Sequence, residues 1–394
     1  MSIPETLLQH ITDVRRDLHA HPEIAYEERR TSEVVARELE DAGIEHRTGL
    51  AGGTGVLAWL PGGDELDGEA IGLRADIDAL PIEEETGAPW ASTIPGRMHA
   101  CGHDGHTAIL LGTARHLATL AARKPLPRPV VMLFQPAEEG GGGGERMVED
   151  GVLDGRIAPT PVKRIYGLHG WPDAPAGSVG TRSGPLLAAS DRFEIEIKGE
   201  GTHAAWPQGG RDPVIAAAAI TTALQTVVAR NCDPLDAAVV SVTILEAGTT
   251  FNVIPGTARV AGTARSLSPE VQDLLERRIA DIATGVATAH GCTATPVYRR
   301  GYPVTINHPE PTATFERLAR AEIGDERWFD VERPVMGGED FAYYGQKVPA
   351  CFFMLGQRAE GETSMPSLHS PRYDFNDGTL ATGVRLMTRL ALEG

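Results

Sequence analysis

The chain has 394 residues and a mass of 42.0 kDa, more than one hydrophobic core usually holds, so we expect two domains. Its hydrophobic fraction of 41% and charged fraction of 23% are ordinary for a globular protein and exclude a largely disordered chain. The formal net charge of −18 would repel phosphate backbones and anionic lipid, which argues against nucleic acid and membrane surfaces as partners.

The sequence predicts neither a secretory leader nor a membrane span. The amino terminus has no basic segment followed by an apolar stretch, and the most apolar long window, 213–229, is interrupted by polar residues. The cysteines at positions 101, 232, 292 and 351 show no close pairing pattern, and we expect reduced thiols. We therefore expect a cytoplasmic protein.

Helices alternate with short apolar strands through most of the chain. In chain order we predict helices over 4–19 and 28–42, strands over 55–60 and 70–75, a helix over 107–123, and strands over 129–135, 164–168 and 350–355. This alternation favours a mainly parallel sheet covered on both faces by helices. In such sheets ligands bind beyond the carboxyl ends of the strands.

Residues from about 190 to 300 follow a different pattern. The predicted elements are a strand over 192–198, a helix over 212–230, strands over 238–246 and 256–265, a helix over 269–290 and a strand over 293–300. This is the β-α-β-β-α-β order of ferredoxin-like domains. We therefore predict a domain over 189–300, inserted into a larger domain formed by 1–188 and 301–394.

A thiol and several imidazoles are concentrated between His99 and His106. Cys101 and His103 lie within this stretch, and thiolate and neutral imidazole are both good ligands for divalent transition metals. A glycine-rich turn with surface histidines is the alternative interpretation of the segment taken alone.

Two adjacent carboxylates, Glu138 and Glu139, follow a predicted strand and precede five glycines over 140–144. One carboxylate of such a pair can bind metal while the other takes a proton from water as a general base. The glycines would let the backbone pass close to a ligand. Taken alone, an acidic pair on a loop is more often simply solvated.

Other polar residues follow the predicted strands. Asp76 and Asp78 follow the second strand, His169 follows the fourth, and His369 lies downstream of the last. The two aspartates could orient a histidine ligand through a hydrogen bond or cap a helix. A single histidine at a strand end is more often a core residue with satisfied hydrogen bonds.

Several segments together resemble one family. They run in order along nearly the whole chain, over 15–23, 73–81, 98–106, 136–144, 167–169, 201–205 and 368–377. The combination resembles the hippurate hydrolase and N-acyl-amino-acid amidohydrolase branch of the aminoacylase/carboxypeptidase metallohydrolases. Plant auxin-conjugate hydrolases belong to the same branch.

The resemblance implies an α/β fold, with a phosphorylase/hydrolase-like mixed-sheet catalytic domain and an inserted ferredoxin-like α+β domain for dimerisation and lid closure. It implies two divalent metal ions and Glu138 as the general base. The implied metal ligands are Cys101, His103, Glu139, His169 and His369. Because this set mixes soft and hard donors, zinc, manganese, cobalt and nickel all remain open.

The resemblance also implies residues that act beside the metals. Asp78 matches an aspartate that supports a ligand in related members, although Asp76 stands where they usually have a histidine. His203, Asn252 and Arg265 match positions that stabilise the oxyanion or hold the substrate carboxylate. His203 is expected to act across a dimer interface, and the forked guanidinium of Arg265 suits a carboxylate.

These inferences predict a homodimeric metal-dependent amidohydrolase with a small-molecule substrate. It would cleave N-acyl amino acids, of the hippurate or N-acetyl-amino-acid type, to a carboxylate and a free amino acid. A dipeptidase or carboxypeptidase of the same chemistry is the first alternative. A relative that binds such ligands without turnover is the second.

Overall fold

The structure is a computed structural model that describes residues 2–63 and 69–394. The chain forms two compact units. The first contains Met1–Leu186, Ile306–Arg333 and Asp340–Gly394, and the second contains Leu187–Thr305 and Pro334–Glu339. The second unit is thus formed mainly by one long segment that interrupts the chain of the first.

The helices occur in both units. They are α1 (Glu5–Ala20), α2 (Arg29–Asp41), α3 (His103–Ala121), α4 (Gly143–Asp150), α5 (Pro213–Leu224), α6 (Thr226–Asn231), α7 (Pro269–Ala289), α8 (Pro309–Ile323), α9 (Ala342–Gly345) and α10 (Leu380–Glu393). Among the residues that the structure describes, no helix combines the length and the apolar character needed to cross a bilayer.

The strands are numbered in the same way along the chain. They are β1 (Glu45–Leu50), β2 (Gly55–Leu60), β3 (Ala70–Asp76), β4 (Val130–Gln135), β5 (Val162–Pro175), β6 (Val179–Thr181), β7 (Gly184–Leu187), β8 (Ala189–Lys198), β9 (Thr202–His203), β10 (Ala238–Ala247), β11 (Val253–Ile254), β12 (Thr257–Ser266), β13 (Thr293–Tyr302), β14 (Thr305–Asn307), β15 (Trp328–Asp330) and β16 (Ala350–Arg358).

The first unit contains one large sheet with the strand order β1-β2-β4-β3-β5-β16-β6-β15. Its centre is parallel, because β4, β3, β5 and β16 pair with one another in that sense. The pairs β1–β2, β2–β4 and β16–β6 are antiparallel. The β6–β15 pair is again parallel, so four of the seven strand pairs in this sheet, as far as the described residues show, are parallel. The sheet is mixed but mainly parallel, as predicted.

Helix α3 is buried along most of its length within the first unit, where it packs against α1 and α10. The contact is close at Gly112, because a Cβ atom there would lie 2.9 Å from side-chain atoms of both Ile11 and Val384. Strands β3 and β4 are buried at every position, as expected for central strands with both faces covered. This packing fixes the amino-terminal end of α3, which begins at His103.

Two predicted boundaries differ from the structure at candidate site residues. The predicted strand over 164–168 is part of the longer β5, so His169 lies inside a strand and not at its end. The strand continues because β16 pairs with it as far as Pro175. Helix α3 begins four residues earlier than predicted, directly after Gly102, whose φ of +87° is a conformation that glycine adopts without strain.

The second unit is built on a four-stranded antiparallel sheet with the order β10-β12-β8-β13. Helices α5 and α7 pack on it, and its core includes Ile195, Ile220 and Leu275. Side chains of β8 alternate between buried and exposed along the strand, as expected where one face of a sheet covers a core. The main elements follow the order β-α-β-β-α-β, although the predicted helix over 212–230 is divided at Gln225 into α5 and α6.

A buried group of charged side chains lies between α1 and the start of α3. His19 is fully buried, and its Nδ1 lies 2.8 Å from Asp104 Oδ2 while its Nε2 lies 3.3 Å from Glu84 Oε1. Arg15 Nε lies 3.1 Å from the same Asp104 oxygen. Burial alone would lower the pKa of His19, but the charge and hydrogen bond of Asp104 and the hydrogen bond to Glu84 together outweigh it and raise the pKa to about 9.

This shift predicts a pH-dependent contribution of His19 to stability. Because the folded-state pKa exceeds the unfolded value, the stabilisation is complete below about pH 6.5 and disappears as the pH rises through about 9. The difference in free energy of unfolding between wild type and His19→Gln should be on the order of 3 kcal/mol at pH 6 and shrink towards pH 9.5. Denaturant titrations at several pH values measure it, with exposed His290→Gln as the control variant. A difference that grows with pH would contradict the assignment.

Candidate metal centre and active site

The parallel centre of the large sheet brings three chain segments to one edge. Asp76, the last residue of β3, is in register with Gln135, the last residue of β4. Arg74 is in register with Gly167 on β5, so His169 lies level with Asp76 on the neighbouring strand. The loop that follows β4 therefore begins beside the end of β3, and His169 lies on the other side of β3.

A first group of candidate ligand atoms comes from Cys101, His103 and His169. These atoms all lie within 4.8 Å of one another, and Cys101 Sγ lies 3.3 Å from His169 Nε2. Gly102 makes the turn between Cys101 and the first residue of α3. A Cβ atom at this position would lie 2.8 Å from the hydroxyl oxygen of Tyr373, so the turn also needs a residue without a side chain.

A second group contains Cys101, Glu139 and His369, again with ligand atoms within 4.8 Å of one another. His369 Nε2 lies 3.0 Å from Glu139 Oε1. The backbone of His369 has a φ of +64°, and its N–H donates to the carbonyl oxygen of Ala100 at 2.8 Å. This bond ties the loop of His369 to the residue that precedes Cys101.

The groups overlap, because Cys101 belongs to the first two and a third contains His103, Glu138 and Glu139. The structure thus brings together every residue that the sequence predicted as a ligand, beside Glu138. Five donors exceed what one tetrahedral ion uses and suit two cations that share ligands.

Hydrogen bonds orient both buried imidazoles towards the cluster. His169 Nδ1 donates to the carbonyl oxygen of Gly170 at 2.8 Å, which leaves the Nε2 lone pair facing Cys101. His103 Nδ1 lies 3.2 Å from Asp78 Oδ1. Its buried Nε2 has no hydrogen-bond partner among the described residues. A nitrogen that binds a cation would be left without such a partner in the same way.

The electrostatics of the cluster also fit a cation. Burial and the charge of Glu139 raise the pKa of the Cys101 thiol well above its ordinary value. Burial would lower the pKa of His103, but Asp76 and Asp78 outweigh it and raise the pKa to about 10. The site therefore favours added positive charge, which a divalent cation would supply while its ligands lose their protons.

Asp78 connects two candidate ligands from different segments. Its Oδ1 faces His103, and its Oδ2 accepts a hydrogen bond from the backbone N–H of Glu139 at 2.9 Å. Asp78 is almost fully buried. A carboxylate in this arrangement can orient metal ligands through its hydrogen bonds to them.

His106 was predicted only as part of the segment 99–106, without a role of its own. Its Nε2 accepts a hydrogen bond from the N–H of Gly170 at 2.8 Å, so its Nδ1 carries the proton and donates to Asp76 Oδ1 at 2.6 Å. His106 therefore braces the strand next to His169. His99, from the same motif, is buried, belongs to none of the candidate groups, and has a pKa lowered to about 4 by burial.

The sequence also did not predict a buried ion-pair network next to the candidate ligands. Arg74 Nη1 lies 2.6 Å from Asp76 Oδ2, and its Nη2 lies 2.9 Å from Asp340 Oδ1. Gln135 donates to the same Asp340 carboxylate. The signal in the sequence was a charged Arg74 among the apolar residues that precede Asp76 in β3, because a buried guanidinium requires buried carboxylates.

The predicted substrate-binding residues lie in the second unit. His203 on β9 is in register with Val253 on β11, and the N–H of Ala204 donates to the carbonyl oxygen of Asn252 at 3.0 Å. His203 and Asn252 are therefore neighbours, and both are exposed. Arg265, on β12, is half-buried, and its Nη1 donates to the carbonyl oxygen of Ala264 at 3.0 Å.

Comparison with known proteins identifies the family. The model of peptidase family M20/M25/M40 matches residues 72–393, which is most of the chain. The chain belongs to this family. The resemblance inferred from the sequence motifs is therefore confirmed, and the chain is a hydrolase that acts on amide bonds.

The similarity to individual known proteins covers almost the whole chain. An N-acetyl-L-cysteine deacetylase of Bacillus subtilis is 40% identical over 92% of this chain and 84% of its own length. An IAA-amino acid hydrolase of Arabidopsis thaliana is 38% identical over 96% of this chain and 84% of its own length. A crystal structure described as a dinuclear metal-binding peptidase of the M20 family from Bacillus subtilis has a TM-score of 0.82. It is 36% identical and covers 99% of this chain and 98% of its own.

Proposed function

We propose that this M20/M25/M40 member hydrolyses N-acyl amino acids to a carboxylate and a free amino acid. The observation that carries the proposal is the convergence of candidate ligand atoms from four chain segments beside the buried carboxylate of Glu138. The names of the similar deacetylase and amino acid hydrolase support the substrate class.

In this proposal the metal-binding residues are Cys101, His103, Glu139, His169 and His369. Divalent cations bound there would polarise the amide carbonyl and make a bound water more acidic. Zinc, manganese, cobalt and nickel all suit a set with one thiolate, three imidazoles and one carboxylate.

Glu138 would act as the general base of the reaction. Its carboxylate accepts the proton of the attacking water and then donates it to the nitrogen of the leaving amine. Glu138 is 6% exposed, and its Oε1 lies 3.4 Å from the backbone N–H of Asp340. Exclusion of bulk water would favour transfer of the proton to Glu138, because a carboxylate that is poorly solvated gains more from accepting a proton.

The second unit would supply substrate recognition and dimer contacts. Arg265 would bind the α-carboxylate of the substrate, and His203 and Asn252 would stabilise the oxyanion, with His203 reaching the site of a partner subunit. We propose 1–188 with 301–394 as the catalytic domain and 189–300 as the dimerisation and lid domain.

A substrate panel with and without chelation tests the function. We expect the metal-loaded protein to hydrolyse hippurate or N-acetyl amino acids faster than dipeptides, and chelator to remove this activity until a divalent metal is restored. Release of the free amino acid is the readout. Faster hydrolysis of dipeptides would favour a peptidase instead, and binding of acyl amino acids without any turnover would favour a binding protein. Full activity in metal-free protein would contradict the mechanism.

A further inference from the structure

The residue before the proposed general base has an unfavourable backbone conformation. Ala137 has a φ of +55°, in the left-handed region that residues with a side chain rarely occupy, and it is fully buried. Such a conformation is strained for a residue with a Cβ atom and persists only where the surroundings hold it in place. Because Ala137 directly precedes Glu138, whatever holds this peptide also sets the direction of the Glu138 side chain.

The backbone of Ala137 is held on both sides. Its N–H donates to Glu28 Oε1 at 2.9 Å, and its carbonyl oxygen accepts from the N–H of Gly143 at 3.2 Å. The second contact lies within the glycine-rich loop itself. The bond to Glu28 is the one that joins the loop to a distant part of the chain.

The Glu28 side chain joins the loop of Ala137 to the start of β2. Glu28 is fully buried just before α2, yet its side chain makes no capping hydrogen bond to that helix. Its Oε2 instead accepts from the hydroxyl of Thr54 at 2.9 Å. Thr54 directly precedes β2, which pairs with β4, so Glu28 lies where β2 begins and β4 ends. Burying a carboxylate is costly unless it is fully hydrogen-bonded, and both of its oxygens are used here.

A neighbouring residue supports the same loop. Tyr26, which also has a positive φ of 64°, donates its hydroxyl to the carbonyl oxygen of Gly141 at 2.7 Å. A Cβ atom at Gly141 would lie 2.6 Å from the Cβ of Ala137, so the loop packs closely on this residue. The segment 26–28 therefore contacts the base-bearing loop at two points.

We infer that Glu28 is a positioning residue for the proposed hydrolysis, which holds the Ala137 peptide so that the Glu138 carboxylate points at the candidate metal ligands. Its contribution is an acceptor atom at a fixed place, and not its charge. The inference rests on the proposed function of Glu138, but the restraint itself can be measured without a substrate.

Two conservative variants separate position from charge. In Glu28→Gln an amide oxygen remains in reach of the Ala137 N–H, and the amide N–H can donate to the Thr54 hydroxyl. In Glu28→Asp the carboxyl group remains, but it withdraws by one methylene group. We expect kcat of Glu28→Gln within about fivefold of wild type. We expect kcat of Glu28→Asp to fall by about 100-fold, with KM and metal content per chain unchanged.

Hydrogen–deuterium exchange of a peptide covering residues 136–141 gives the second readout. Exchange should be faster in Glu28→Asp than in wild type and Glu28→Gln, with or without a known substrate. If the wild type hydrolyses no N-acyl amino acid, the proposed function fails while this measurement still decides whether Glu28 restrains the loop.

Equal exchange in all three proteins would overturn the inference. So would a Glu28→Asp enzyme as active as wild type, a Glu28→Gln enzyme as impaired as Glu28→Asp, or a loss of activity that follows loss of metal.

Discussion

Replacement of Glu138 by glutamine should lower kcat by about 1,000-fold while the protein keeps its metal. The amide has nearly the size of the carboxylate but cannot accept the proton of the attacking water. Glu138 is buried beside His103 and Glu139. The two candidate groups that contain Cys101 do not include Glu138, so we expect them to keep their metal in this variant. Stopped or continuous assays of amino acid release, with metal analysis of the same samples, measure both quantities.

The matched control for this variant is Glu145→Gln. Glu145 is an exposed glutamate in α4, shortly after the same glycine-rich loop, and its replacement should leave kcat within about twofold of wild type. Turnover by Glu138→Gln within tenfold of wild type would dismiss Glu138 as the general base. Loss of metal from this variant would assign Glu138 to metal binding instead.

Replacement of Cys101 by serine should have a comparably large effect through a different cause. Cys101 belongs to two of the candidate groups, so we expect its loss to weaken the binding of more than one cation. A serine hydroxyl is a poor ligand for the soft transition metals that thiolates bind. We expect metal content per chain to fall below half of the wild-type value and activity to fall by about 1,000-fold or more at the same total metal concentration.

Cys232→Ser is the control for the loss of a thiol. Cys232 is a free cysteine in the second unit, partly exposed and absent from every candidate group of the described residues. Its replacement should leave metal content and activity unchanged. Retention of full metal content by Cys101→Ser would remove the thiolate from the proposed ligand set.

The cluster of candidate ligands was predictable in part, because metal chemistry demands uncommon residues at short spacing. Cys101 and His103 on either side of Gly102, and Glu138 next to Glu139, stand out in any sequence. His169 and His369 carry little signal alone, and only the resemblance to a family joined them to the others. Their contacts to Cys101 and Glu139 depend on tertiary packing between β5, α3 and the last loop.

The supporting residues were harder to predict because their partners are distant in the chain. Arg74 meets Asp340 across 266 positions, and Glu28 meets Ala137 across 109. Neither pairing leaves a local pattern. The length of β5 was likewise underestimated, since its second half is specified by pairing with β16 and not by an apolar run.

Anomalous X-ray diffraction from crystals of the metal-loaded wild-type protein tests the central claim most directly. The account predicts two anomalous peaks about 3.5–4 Å apart, enclosed by the side chains of Cys101, His103, Glu139, His169 and His369. A single peak, or peaks bound by residues outside this set, would contradict it.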